Sequence, residues 1–243
     1  MKTSPDNRSA SAENRAFTKV ELLVIIIAVG LLAILRLSAA TTARNQDKIS
    51  QCAGNLRQLG QCSLLYAADN SGKLPYNGGS YWASDLTISA CDALMKRGAT
   101  RNNFYDPGFP EDNADVNWHY TIGYRVTGYA YTFPGQAGVD AIYQNPTTSP
   151  FQPVGGGYTS PPTPASQRVL AADATMSHST SRSGDSGNFT IFTENLNVIQ
   201  RSPHLDGFVP AGCNVVMLDG HVEWRLFSQM SVRTTAGYPR FWW

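Results

Sequence analysis

FTKVELLVIIIAVGLLAILRL, residues 17–37, decides how the rest of the chain is read. From Leu22 to Leu35 fourteen residues pass without a charge, and all but Gly30 are apolar. A bilayer span usually needs about 20 such residues. Counting from Phe17 lengthens the segment to nineteen but brings in Lys19 and Glu21. A carboxylate inside an apolar segment is costly and calls for a reason. Three readings compete. A secretory signal has a basic start, a short apolar core and a small-residue cleavage site, which Ser38-Ala39-Ala40 supplies. A plain membrane anchor lets Lys19 snorkel to the interface but gives Glu21 no task. The third reading cuts between Ala16 and Phe17, so that the mature chain starts at Phe17 with Glu21 as its fifth residue.

Ala16, Phe17, Thr18 and Glu21, followed by the apolar run, resemble the processing segment of the prepilin family. That family comprises the type IV pilins and the pseudopilins of type II secretion. It usually has Gly where this chain has Ala16, and Leu where this chain has Lys19. The resemblance implies a prepilin peptidase that removes the leader on the cytoplasmic face and methylates the amine of Phe17. It also implies other pilin or pseudopilin subunits as partners. Glu21 then has a task, because a carboxylate in hydrocarbon seeks a cation and the free α-amine at Phe17 of a neighbouring copy supplies one.

Residues 1–16 are polar, with Lys2, Arg8 and Arg15 against Asp6 and Glu13. They read as a disordered cytoplasmic leader, since basic residues just before a span keep their side inside. The expected location is therefore the inner membrane, single-pass, with the remaining chain extracytoplasmic. Nineteen Lys and Arg balance eighteen Asp and Glu, which gives a nucleic-acid partner no electrostatic platform.

The helical pattern continues beyond Leu37. Residues 38–69 lack Pro, and Ile49, Cys52, Leu56, Leu59, Ser63 and Tyr66 recur at alternating spacings of three and four. Gly54 and Gly60 interrupt this face at a modest cost each. Asn70-Ser71-Gly72 and Pro75 end it. One long helix, or two helices broken near residues 38–42, satisfies the pattern. The expected organisation is a leader (1–16), a transmembrane or filament-core half-helix (17–37), an amphipathic half-helix (38–70) and a globular head (71–243).

Cys52, Asn55-Leu56-Arg57-Gln58-Leu59-Gly60, Tyr66-Ala67, Asp69, Gly72 and Leu74-Pro75 resemble a bacterial prepilin-type subfamily. Its C-terminal signature is a His, nine residues, then Asp-Gly. Here His204 precedes Asp219-Gly220 by fourteen residues, and the added length falls at residues 206–210. The resemblance implies a pilin-like α+β fold: a long N-terminal helix packed under an antiparallel β-sheet with long loops.

The head offers local signals. Residues 82–97 contain a weak helical spacing, and Tyr105-Asp106-Pro107-Gly108 is a turn. Residues 119–133 alternate like a strand, with Gly128 permitting a bend. Residues 146–164 and 177–190 read as loops, and Val169–Ala172 as a buried strand. Residues 214–218 and 221–225 flank Asp219-Gly220, which predicts a two-residue hairpin turn with positive φ at both positions. The aromatic end at 238–243 is expected to fold back, since an exposed Phe-Trp-Trp terminus invites association.

Chemistry is sparsely signalled. His178, His204, His221, Asp173 and Asp219 are the candidates for a metal or hydrolytic site, but none has a dense ligand spacing. No phosphate loop, Gly-x-Ser-x-Gly or Cys-x-x-Cys is present. The expectation is no catalysis and no cofactor; the nearest alternative is a structural calcium ion, which the resemblance to pseudopilins implies, at Asp173, Asp185 or Asp206. Cys52 and Cys62 lie too far apart on one helix to pair. The four cysteines read as buried free thiols, with Cys91–Cys213 or a Cys62 pairing the alternative. The sequence thus predicts a pilin-like, non-enzymatic subunit, a minor one in one version, of a type IV pilus or type II secretion pseudopilus. The rival is a membrane-tethered extracytoplasmic binding protein or hydrolase that uses a pilin-type export segment.

Overall fold

The computed structural model describes residues 18–80, 82–136, 138–149, 163–182, 188–190, 192–194, 198–234 and 239–243. The described residues divide into two units, one before and one from Asn45. The leader, with Ala16 and Phe17, lies outside the described residues, as do Asp185 and most of the 146–164 loop.

Helix α1 spans Lys19–Asp69. In the first unit Thr18 and Glu21 cap its start reciprocally. The Thr18 N–H and hydroxyl both donate to Glu21 Oε2 at 2.8 Å, and the Glu21 N–H donates to Thr18 Oγ1 at 3.2 Å. Val20, Leu22, Leu23, Val24, Ile25, Ile26, Ile27, Val29 and Leu31 are all exposed. Among the described residues no helix is long and apolar enough to cross a membrane.

In the second unit, residues 45–69 of α1 bury Cys52, Leu56, Leu59, Cys62, Ser63 and Ala67. Of the stripe predicted from spacing, Cys52, Leu56, Leu59 and Ser63 are buried, and Ile49 and Tyr66 at its ends are half-buried. Ser71 and Gly72 take positive φ, and the Gly72 N–H returns to the Ala67 carbonyl at 2.8 Å, closing the helix end.

Next come β1 (Asp85–Thr87), α2 (Ile88–Met95), α3 (Asp115–Trp118), β2 (Tyr124–Val126), β3 (Tyr129–Tyr131) and β4 (Val169–Asp173). They are followed by β5 (Met176–Ser177), β6 (Phe192–Glu194), β7 (Val198–Gln200), β8 (Leu205–Asp206) and β9 (Val209–Pro210). β10 (Gly212–Met217), β11 (Val222–Leu226) and β12 (Arg240–Phe241) complete the chain. The fold is α+β, and every strand pair is antiparallel. The principal sheet has the order β11-β10-β4-β3.

Four local expectations shift. The helical spacing at 82–97 resolves into β1 and the shorter α2, whose first turn is capped by Thr87 Oγ1 accepting from the Ala90 N–H. The 119–133 stretch becomes β2 and β3 in two different sheets. The 177–190 stretch is not wholly a surface loop, because Phe189 is buried against Phe227 and Trp242. The β10–β11 register, Val216 opposite Val222, leaves a three-residue loop, not a two-residue turn. The Gly220 N–H donates to the Met217 carbonyl (2.8 Å), and within the loop only Gly220 has positive φ. Asp219 instead spends its carboxylate on the His221 N–H, at 3.1 Å.

Both faces of β10 are buried. One face, with Val216 and Leu218, joins the core containing Leu56 and Leu59. Cys213, Val215 and Met217 on the other join Met230, Phe241, Trp242 and Trp243. The aromatic end folds back through β12 pairing with β5 and through Trp242 Nε1–H donating to Ser177 Oγ at 2.7 Å.

A buried Cys–Asp–Asp–His cluster as candidate functional site

Four segments of the second unit deliver one polar side chain each to a single buried point. Cys52 comes from the buried stripe of α1 and is fully covered. Asp106 comes from the 105–108 turn, where its Oδ1 accepts the Gly108 N–H at 2.6 Å. Asp173 ends β4. Strand alternation places it two residues after Ala171, on the face that packs with Cys52, and opposite Tyr129 of β3. His204 follows Ser202 and Pro203 and holds φ at +46°, a strained value for a residue with a side chain.

Their donor atoms all lie within 4.8 Å of one another. Cys52 Sγ is 2.7 Å from Asp173 Oδ1 and 3.3 Å from Asp106 Oδ2. His204 Nε2 is 3.3 Å from Asp106 Oδ1 and 3.5 Å from Asp173 Oδ2. These are charge contacts only, since the geometry of buried Nε2 completes no hydrogen bond with either carboxylate. The His204 side chain is only 3% exposed.

A second ring of contacts fixes the ligating groups. The Asn214 N–H donates to Asp173 Oδ2 at 2.6 Å, and the Asn214 side chain spans from that carboxylate to the Ile49 carbonyl at 3.2 Å. The Tyr129 hydroxyl reaches Cys52 Sγ at 3.6 Å and the Tyr105 carbonyl at 3.3 Å. Trp224 meets the His204 ring edge to face at 5.6 Å. A Cβ on Gly108 would come within 3.0 Å of the imidazole, so the turn is pressed against it.

The electrostatics follow from burying acids together. Burial, then the charge of Asp106, pushes the Asp173 carboxyl up to about 8. Burial likewise raises the Cys52 thiol well above its ordinary range, and the two carboxylates add to it. For His204, burial opposes protonation, but the contact with Asp106 and the charge of Asp173 outweigh it and raise its pKa. In this state the cluster holds protons, and Cys52 is a thiol rather than a nucleophilic thiolate. A cleft of about 290 Å³ opens beside His204, with Lys48, Arg201 and Gly108 in its lining. Another, of about 360 Å³, reaches Asp106 between Asn55 and Pro110.

Of the sequence candidates, the structure brings Asp173 and His204 into the cluster. His221 pairs with Asp219 at 2.6 Å in the exposed hairpin loop, apart from the cluster. His178 and Asp206 are exposed. Cys52 and Asp106 went unnoticed as site residues. Cys52 occupies an apolar stripe where a thiol reads as core, and Asp106 sits in a turn that explains an Asp without chemistry. All four cysteines are free and buried. Glu21 is the cap described above. No protein-family model, curated protein or solved structure matches the chain.

Proposed function

We propose that the chain is a pilin-like subunit of a type IV pilus or type II secretion pseudopilus, processed and N-methylated by a prepilin peptidase. In this reading the helix from Phe17 is the membrane and filament-core element, and the head lies outside the inner membrane. The observation that carries it is the pattern Ala16-Phe17-Thr18 with Glu21 ahead of the apolar run. The nine exposed large apolar side chains between Val20 and Leu31 support it. A helix apolar all round needs lipid or neighbouring helices to cover it. A run short for a bilayer suits a segment that leaves the membrane for a filament core. Mass spectrometry of the mature chain tests the reading. The expected N-terminus is Phe17 carrying one added methyl group. A terminus beside Ala39 or Ala40 would mean an ordinary signal peptide and overturn it.

A further inference from the structure

The buried cluster has the composition and spacing of a closed metal site. We propose that Cys52, Asp106, Asp173 and His204 bind one divalent transition metal ion of the zinc type, which clips four segments of the head together. One thiolate, one imidazole and two carboxylates make a mixed donor set of borderline softness that suits Zn²⁺. Calcium takes six to eight oxygen ligands, and the thiol and imidazole speak against it. Zinc bonds of about 2.0–2.3 Å place tetrahedral donors about 3.3–3.6 Å apart. The Cys52–Asp106, His204–Asp106 and His204–Asp173 separations are 3.3, 3.3 and 3.5 Å. The two to Asp106 run to different oxygens of its carboxylate, while Cys52 and Asp173 Oδ1 stand closer, at 2.7 Å, and would part on binding.

A second observation points to a cation independently of the donor count. His204 Nε2 is buried, aimed into the cluster and without a hydrogen-bond partner. A buried ring nitrogen left unpaired costs free energy, and its residue carries backbone strain as well. Metal coordination would give the nitrogen a partner and offset the strain. The flanking groups have the arrangement a metal shell needs. Asn214 holds Asp173, and the Gly108 N–H holds Asp106. The cleft beside His204 supplies an entry path. On binding, the protons held by the cluster, that of the Cys52 thiol and those on Asp173 and His204, leave to solvent, so that a thiolate, two carboxylates and a neutral imidazole take the metal. Four protein ligands leave no open position, so the role is structural rather than catalytic.

The test uses the full chain in detergent, stripped with a chelator and titrated with CoCl₂. One equivalent should bind, with a thiolate-to-cobalt charge-transfer band and the intense visible bands of four-coordinate Co²⁺. ZnCl₂ should displace it stoichiometrically, and excess CaCl₂ should not. Cys52→Ser should lose the charge-transfer band, and His204→Gln should weaken binding by at least about 100-fold. Cys62→Ser, on the same helix away from the cluster, should behave as wild type. Zinc at a hundredfold excess over Kd should raise the unfolding midpoint of the wild-type head by about 5–10 °C. Absence of stoichiometric Co²⁺ and Zn²⁺ binding by the wild-type chain would overturn the proposal, however the variants fold. So would a charge-transfer band that survives Cys52→Ser. Neither result touches the processing test, so this proposal and the subunit reading fail separately.

Discussion

Gly54 and Gly60 look alike in the sequence, since both interrupt the α1 stripe, yet the structure gives them opposite surroundings. A Cβ at Gly54 meets nothing within 4 Å. Gly54→Ala therefore gains helix propensity, about 1 kcal/mol, at no packing cost. A Cβ at Gly60 would lie 2.7 Å from Val216 Cγ2. Val216 is fully buried, β-branched and held between Ala171 and Val222 by its strand register, so it has nowhere to turn. Overpacking of this kind costs about 1–3 kcal/mol, which exceeds the propensity gain. We expect Gly60→Ala to destabilise the head by about 1 kcal/mol and Gly54→Ala to stabilise it by a similar amount. In a domain of this size those values correspond to midpoint shifts of about 2–4 °C in opposite directions. All five tryptophans fall between residues 82 and 243, so near-ultraviolet circular dichroism of the full chain reads the second unit alone. The Gly60→Ala/Val216→Ala double variant should lose less than the sum of the singles, because removing the Cγ atoms removes the clash. If Gly60→Ala proves as stable as Gly54→Ala, the packing of residues 45–69 on β10 is wrong.

Asp112 is buried beside α3, where Asn117 Nδ2 donates to its Oδ1 at 3.0 Å, and burial, then the charge of Asp106, pushes it up to about 7. Its folded-state pKa exceeds the unfolded value near 4, so the folded state binds more protons, and this group's contribution to stability falls as pH rises from about 4 to 7. Asp112→Asn should flatten that part of the urea-unfolding profile and exceed wild type by up to roughly 4 kcal/mol at pH 8; identical profiles would refute the assignment. Gly220→Val puts a β-branched residue at φ +91° with its Cβ 3.3 Å from Leu64, and should cost about 1–3 kcal/mol of head stability in the same assay. Asp219→Asn keeps the bond to the His221 N–H and should change little. Glu21→Gln keeps an oxygen for the Thr18 cap but removes the charge. If assembly needs the charge, the variant is processed normally yet missing from sheared filaments, whereas normal incorporation reduces Glu21 to its cap.

Periodicity carries far in this chain because it reports burial directly. The stripe through Cys52, Leu56, Leu59 and Ser63 is buried as spaced, and the apolar run ending at Asp173 is a central strand. Turn chemistry carried less. Asp219-Gly220 announces a reversal, but the loop length depends on where the ladder stops, and Asp219 found its own partner in the His221 N–H. The site was the least legible feature. Its members are separated by 54, 67 and 31 positions, and each sits where a simpler explanation suffices. A Cys in a stripe is core, and an Asp before Pro is a turn. An Asp after four apolar residues is a strand end, and a His in a loop is surface. Only the tertiary meeting of α1, the 105–108 turn, β4 and the His204 loop makes them one object. A weak signal existed in Asp173, since a carboxylate completing a buried strand needs partners from elsewhere in the chain.

The ties between residues 45–69 and the rest of the head are unevenly distributed, and this links the two proposals. Near the start of the segment they are polar. The Ile49 carbonyl accepts from Asn214, Cys52 faces both carboxylates, and Asn55 Nδ2–H donates to the Tyr105 carbonyl at 3.1 Å. Leu56, Leu59 and Gly60 in the middle make apolar contacts with the core and Val216. At the end, Arg97 bonds Asp69 at 2.8 Å in an exposed pair of little strength. Apolar burial is non-directional, whereas hydrogen bonds lose strength steeply once misaligned. Under the proposed filament role, a pull on residue 45 would meet these polar ties first. A metal bound at Cys52 would add a bond of fixed length there, joining the helix to β4, the 105–108 turn and the His204 loop. The cluster thus lies among the ties that such a pull would load first.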